Sequence, residues 1–221
     1  MTTQKRKQLL PVKIIENRIL SEGVHYISMT KPFVFEAGQV IALALHQNNE
    51  PRLYSIASGE NNETLSILFD IKPGGELTPP LSKVKAGDII YISEPFGKFL
   101  CKETPATWIA TGTGIAPFIS LIESERSEDI TLLHGARTLD TFFFQNLFEE
   151  KLFDNYLRFC TTQANASVIE GRLTTYLQNH NNLPKNNKYY LCGSSQMVID
   201  VREILISRGI PFDNIIAEIY F

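Results

Sequence analysis

The sequence predicts two domains of different class: an antiparallel β-barrel over residues 1–103, followed by an α/β domain with a parallel sheet over residues 104–221. Three observations predict it. The first half runs in short, often alternating apolar strands separated by Gly and Asn turns. The second half alternates strand-length apolar runs with helical patterns, as a parallel sheet with helices on both faces requires. Near the junction, Trp108 to Pro117 reads as a buried strand, a glycine-rich turn and a helix start.

In the first half the expected strands are Val12–Leu20, Val24–Thr30, Gln39–His46, Arg52–Ser58, Thr64–Ile71 and Asp88–Ser93, with a short helix over Leu77–Val84. Six such strands close into a barrel that removes its own edges. The second half offers strands Thr107–Ala110, Ile130–His134, Leu157–Thr161 and Tyr189–Cys192. Helical patterns cover Ile115–Glu125, Thr141–Leu152, Leu173–His180 and Gln196–Ser207. Gly209 and Pro211 stop the last helix, and Ile215–Tyr220 is a final strand.

Composition narrows the function class. Of 221 residues, 43% are hydrophobic, enough for a packed core, and the net charge of -3 argues against a nucleic-acid binder. The run Lys5-Arg6-Lys7 reads as a solvated N-terminus. No apolar run approaches a membrane span and no signal-peptide core is present, so a cytoplasmic protein off the membrane is expected. Cys101, Cys160 and Cys192 are dispersed and unpaired in spacing, as is usual in a reducing compartment. They and the four scattered histidines give no metal motif, so no metal is expected.

Four stretches carry chemistry. In Thr111 to Pro117, small residues let a ligand's phosphates approach the main chain, and the following helix brings free N–H groups and a positive dipole end. Pro117 stands where the common dinucleotide fingerprint has its third glycine, so that rule does not apply cleanly. In Arg52-Leu53-Tyr54-Ser55, alternation puts Arg52, a phosphate fork, and Tyr54, a flat surface, on one strand face. Gly74-Gly75-Glu76-Leu77-Thr78 opens a short helix and offers a second phosphate cradle. Leu191-Cys192-Gly193-Ser194-Ser195-Gln196-Met197 ends a strand and opens a helix on the same rim as the first turn. Each taken singly reads equally as a turn, an exposed cation or a buried cysteine.

The ordered set resembles the ferredoxin–NADP reductases, within the two-domain superfamily of flavin reductases. Arg52 to Ser55 is similar to that family's flavin motif. Phe35-Glu36-Ala37-Gly38-Gln39 and Pro95-Phe96-Gly97 are similar to recurrent turns of its barrel. Gly75 to Thr78 resembles its flavin-phosphate segment, and Thr111–Pro117 and Cys192–Met197 its two nicotinamide-side motifs. The match in order and spacing covers nearly the whole chain.

The resemblance implies a barrel domain that holds FAD and a C-terminal domain that binds NAD(P). Tyr54 would stack on the isoalloxazine and Ser55 would lie near its reactive nitrogen. Arg52 and Thr78 would hold the pyrophosphate, with Leu53, Gly75, Glu76, Leu77 and Thr113 completing the FAD set. Gly112, Thr113, Gly114, Ile115, Ala116 and Pro117 would face the coenzyme pyrophosphate, and Cys192, Gly193 and Met197 its nicotinamide end. The catalytic set implied is Ser55, Cys192, Glu218 and Tyr220. Tyr220 would cover the flavin and Phe221 pack on its adenine, with the roles exchanged if the register shifts by one.

Arg137 and Arg172 match basic sites around an adenosine 2′-phosphate, whereas Gln163 replaces an arginine many members carry. NADPH is therefore favoured and NADH stays open. The implied reaction passes electrons between NADPH and ferredoxin or flavodoxin, a separate protein because the chain lacks cluster cysteines. Lys72, Lys83, Lys85 and Lys98 are candidate docking cations for an acidic carrier. The alternatives are an electron-transfer subunit of a larger oxygenase or dehydrogenase complex and a free-flavin reductase.

Overall fold

A computed structural model describes residues 9–163, 165–180 and 182–218. The N-terminal half builds one six-stranded antiparallel sheet from β1 (Leu10–Ser21), β2 (Val24–Thr30), β3 (Val40–Ala44), β4 (Arg52–Ser55), β5 (Thr64–Asp70) and β6 (Ile89–Ile92), in the order β4-β3-β6-β1-β2-β5. Its two outer strands then meet. Ile56 bridges Ile67, and the Ala57 N–H donates to the Ser66 carbonyl at 2.8 Å, so the sheet curls shut. Period-two spacing fills the inside: Val12 with Ile14, Ile27 with Met29, Ile41 with Leu43, Leu65 with Ile67 and Ile90 with Ile92 share one buried cluster. Each such side chain contributes about 1.5–3 kcal/mol by leaving water.

The short helix expected over Leu77–Val84 shrinks to α1 (Thr78–Leu81). Past Leu81 the N–H groups of Lys83 and Val84 reach back only three residues, to the carbonyls of Pro80 and Leu81, and the Asn17 amide caps this end by donating to the carbonyls of Ser82 at 3.0 Å and Val84 at 2.9 Å. Leu81 still reaches the barrel core. The strand expected over Arg52–Ser58 stops at Ser55, because from Ile56 onward the chain turns to close the barrel.

The C-terminal half is a parallel sheet of β7 (Ala106–Thr111), β8 (Ile130–Ala136), β9 (Tyr156–Cys160), β10 (Ile169–Glu170), β11 (Lys188–Cys192) and β12 (Ile215–Glu218), in the order β10-β9-β8-β7-β11-β12. The helices are α2 (Ala116–Glu123), α3 (Gln145–Leu152), α4 (Leu173–Asn179) and α5 (Ser195–Ser207). Trp108 and Ala110 of β7 share a core with residues of α2 and α3, whereas Ile109 shares one with residues of α4 and α5. Side-chain alternation on the central strand thus assigns the helices to two faces. The first core extends into the barrel through Tyr26, Ala57 and Phe99.

Two elements depart from their sequence patterns. Helix α3 begins at Gln145, not Thr141, because Phe142 and Phe143 are buried and Phe144 takes a left-handed conformation with φ of 58°. The two-residue β10 is too short to leave a period. Tyr220 and Phe221, expected to cover the flavin, lie outside the described residues, as does the end of the expected strand Ile215–Tyr220.

His134 on β8 is fully buried, with its Nδ1 2.8 Å from the Tyr156 hydroxyl. Burial, reinforced by the nearby Arg158 charge, pushes its pKa down to about 3. The ring stays neutral when folded and takes up a proton on unfolding below the ordinary histidine value. Its stabilising effect is therefore complete above pH ~6.5 and declines as pH falls toward 3. Urea unfolding at pH 7 and pH 5 should show His134 contributing about 2 kcal/mol of the stability lost, an amount that a His134→Gln variant does not lose.

Candidate active site

From β7 the sheet grows through β8, β9 and β10 on one side and through β11 and β12 on the other. Strand order therefore reverses between β7 and β11, and ligands of open α/β sheets bind beyond the carboxyl ends of the strands at such a point. Those ends are Thr111 and Cys192. Both motifs singled out in the second half meet here.

A 3₁₀ turn over Gly112–Ile115 leads directly into α2, and neither helical start has a side-chain cap. The first N–H groups of a helix lack intrahelical partners, which makes such an uncapped end an anion site. Gly112 has φ of 56°, and a Cβ on it would meet nothing within 4 Å, so the space outside the turn is open. Gly114 is the opposite case. A Cβ there would collide with the Cys192 carbonyl and lie 2.5 Å from the Gly193 Cα. A Cβ on Gly193 would strike Thr111 Oγ1 and come within 2.6 Å of Met197 Cε. The two turns form one ledge because the missing side chains of Gly114 and Gly193 let them touch.

Ile115, Ala116 and Pro117 are buried, so only their main chain faces that ledge. Met197 is also buried, in the core between the sheet and α5. Its Cε lies beneath Gly193, so its thioether packs directly under the turn expected to meet the coenzyme.

On the barrel, β4 pairs with β3 so that Arg52 and Tyr54 oppose Leu43 and Ile41, while Leu53 and Ser55 oppose Ala42 and Val40. The expected alternation holds. Arg52 is exposed, and Tyr54 is half-buried with its ring 6.1 Å from Phe69. Burial, then the Asp70 charge, push the Tyr54 phenol up to about 12, so it stays neutral. Tyr54 thus neighbours Phe69 and Asp70 at the end of β5, the strand that runs into the Gly74-Gly75 turn. That turn closes with the Gly75 N–H on the Lys72 carbonyl at 2.9 Å, and Thr78 Oγ1 accepts from the Lys72 N–H at 2.8 Å. Glu76 is exposed and Leu77 half-buried against the barrel core.

The two halves meet at Ser55, whose Oγ donates to Glu218 Oε2 at 3.3 Å. Glu218 on β12 pairs in register with Cys192 on β11, which pairs with Ala110 on β7. Cys192 is 1% exposed, and burial followed by the Glu218 charge raises its thiol well above the ordinary range. Three of the expected catalytic residues are thus brought together from β4, β11 and β12. Cys101 joins them unannounced by the sequence: its thiol is raised by burial, then by the charge of Glu218. No spacing rule links residues 101, 192 and 218. Both thiols are uncharged at neutral pH, beside the Glu218 carboxylate.

Along the rim, Arg137 follows β8 and Arg172 precedes α4, and both are exposed. Arg172 opens onto a groove of ≈ 340 Å³ shared with Phe159, Glu170 and Tyr176. Between them Gln163 is already engaged, its Oε1 accepting the Leu139 N–H at 2.7 Å. Thr162 Oγ1 donates to the Arg137 carbonyl at 2.5 Å. No helix among the described residues is long and apolar enough to cross a membrane.

A barrel joined to a doubly wound sheet, with a serine–carboxylate contact at their junction, defines a two-domain protein whose nucleotide-type ligand site lies where the strand order reverses. Residues 108–203 match the oxidoreductase NAD-binding domain family. The chain is 30% identical over 215 residues to the ferredoxin–NADP reductase of Azotobacter vinelandii, covering 83% of each protein. It is 27% identical to reductase component 1 of a terephthalate 1,2-dioxygenase from a Comamonas species, covering 94% of this chain and 67% of that protein. A crystal structure of a ferredoxin–NADP⁺ reductase from Neisseria gonorrhoeae with bound FAD and NADP superposes with a TM-score of 0.86 at 22% identity, covering 98% and 100% of the two chains. The chain belongs to the ferredoxin–NADP reductase family.

Because the ledge depends on Gly114 having no side chain, Gly114→Ala should destabilise the protein by about 1–3 kcal/mol in thermal or urea unfolding. An unchanged melting temperature would show that the two turns can separate freely.

Proposed function

We propose that the chain is an FAD-dependent oxidoreductase that passes electrons between NADPH and a one-electron carrier, ferredoxin or flavodoxin. The observation that carries this reading is the Ser55–Glu218 hydrogen bond, with Cys192 in register beside it, at the junction of the barrel and the sheet. The domains are residues 1–103 for FAD and 104–221 for the coenzyme. The residues present fit both groups: a neutral, half-buried Tyr54 offers a ring face, Arg52 is an exposed cation on the same strand, and the space outside Gly112 is open. FAD supplies the exchange between a two-electron donor and a one-electron carrier.

The chain's own part is binding, orientation and proton control. Tyr54 packs on the isoalloxazine while Arg52 and Thr78 hold the pyrophosphate. Ser55 Oγ, aimed by Glu218, would face the reactive edge of the flavin and hold a proton within reach there. The uncharged Cys192 thiol, at the end of β11, would border the nicotinamide end of the coenzyme. Gly112 to Ile115 donate N–H groups to the coenzyme pyrophosphate, and Arg137 and Arg172 attract the 2′-phosphate. With Gln163 neutral and engaged by Leu139, two cations stand where a third would sharpen the choice. The preference for NADPH over NADH is correspondingly modest.

The carrier surface is not the simple lysine face the sequence implies. Lys72, Lys83 and Lys85 lie at the Arg52 end of the barrel, whereas Lys98 follows β6 and lies at the other end, and Lys72 pairs with Asp70 at 2.8 Å. A second reading, a reductase component serving an oxygenase, draws support from the similarity to the terephthalate dioxygenase reductase component.

Anaerobic titration of the FAD-loaded protein, followed by flavin absorbance, tests the reading. NADPH should bleach the flavin faster than NADH, and Ser55→Ala or Glu218→Gln should slow bleaching about 10- to 100-fold with FAD retained. Bleaching by NADH alone favours the oxygenase-type reductase, and bleaching by neither coenzyme overturns both readings.

A further inference from the structure

Helix α2 carries the coenzyme turn at its N-terminus, and its other end grips the barrel. The Gly59 N–H and Asn62 Nδ2 both donate to Glu123 Oε2 at 2.8 Å. Ser120 Oγ donates to the Ser58 carbonyl at 2.7 Å, and the Glu60 N–H donates to Ser124 Oγ at 2.9 Å. Just past the helix, Arg126 donates to the Leu100 carbonyl at 3.0 Å and to Glu60 Oε1 at 2.6 Å. The gripped loop begins three residues after Ser55.

Two features mark Glu123 as placed for this grip. A carboxylate at a helix C-terminus faces the negative end of the dipole, an unfavourable position unless donors compensate it. Gly59 also lies so close that a Cβ on it would sit 2.9 Å from both the Glu123 carbonyl and Asn62 Oδ1. Beyond Glu123 the chain reverses through a Schellman turn. Glu125 is left-handed at φ of 62°, and the N–H groups of Glu125 and Arg126 return to the carbonyls of Ile122 and Leu121, each at 3.0 Å. This turn sends Arg126 back to the barrel.

We propose that Glu123 is a positioning residue for the electron-transfer step. Through α2, a strut of about 12 Å, it fixes the distance between the flavin-side strand at Ser55 and the coenzyme turn at Gly112–Ile115. The role rests on the functional reading above. The two rings must meet within a narrow range of separations, and a misplacement of about 1 Å costs on the order of 100-fold in rate.

Glu123→Ala, Glu123→Gln and Gly59→Ala test it. Glu123→Ala removes both acceptor contacts. Gly59→Ala pushes the loop off the helix with the carboxylate intact. Both should lower the rate of flavin reduction by bound NADPH about tenfold, with KM for NADPH, FAD content and far-ultraviolet dichroism unchanged. Hydrogen exchange should rise at residues 56–62. Glu123→Gln, which keeps an acceptor oxygen, should restore most of the rate and the protection. Variants that match the wild type in rate and exchange overturn the strut, as does a change confined to KM or to FAD content. Wild-type protein that neither coenzyme reduces overturns the functional reading, and this role with it.

Discussion

Where the Cys192 carbonyl lies against the Cα of Gly114, no side chain has room, and this close approach fixes two turns from distant parts of the chain as one surface. The constraint is steric and local, yet its reach is long. It requires β7 and β11 to be neighbours, which the reversal of strand order provides. It sets the start of α2, and α2 in turn meets the barrel. A residue larger than glycine at position 114 would have to move the end of β11, the strand in register with Glu218.

The chemistry of the junction follows from burial. Cys192 and Cys101 are deep enough that ionisation is disfavoured, and the Glu218 charge disfavours it further. Glu218 and the Ser55 hydroxyl are then the groups suited to holding or passing a proton. A barrel alone would leave Ser55 without this carboxylate, and the sheet alone would lack the proposed flavin-side strand. The carboxylate contact draws one strand from each half.

Much of this was legible in the sequence because it rests on local rules. Period-two spacing disclosed the barrel strands, and the change of period at Trp108 disclosed the parallel sheet. Glycines at 112, 114 and 193 disclosed the turns, though not that two of them exist to let main chains touch. What stayed hidden depends on distant partners. Asn17 caps the chain just past α1 from sixty-five residues away. Cys101 lies within range of the Glu218 charge with no spacing to announce it. The Glu123 grip on Gly59 and Asn62 looks in sequence like an ordinary charged helix end. Met197 is a motif position whose side chain packs inward beneath Gly193, which its place in the sequence does not disclose.

A crystal structure of the protein with FAD and NADP⁺ tests the central claim, that one junction brings both groups together, most directly. The account predicts the isoalloxazine against Tyr54 with its reactive edge within hydrogen-bonding reach of Ser55 Oγ, and the coenzyme pyrophosphate on the Gly112–Ile115 turn. Flavin bound away from β4, or a coenzyme pyrophosphate seated elsewhere than this turn, would contradict it.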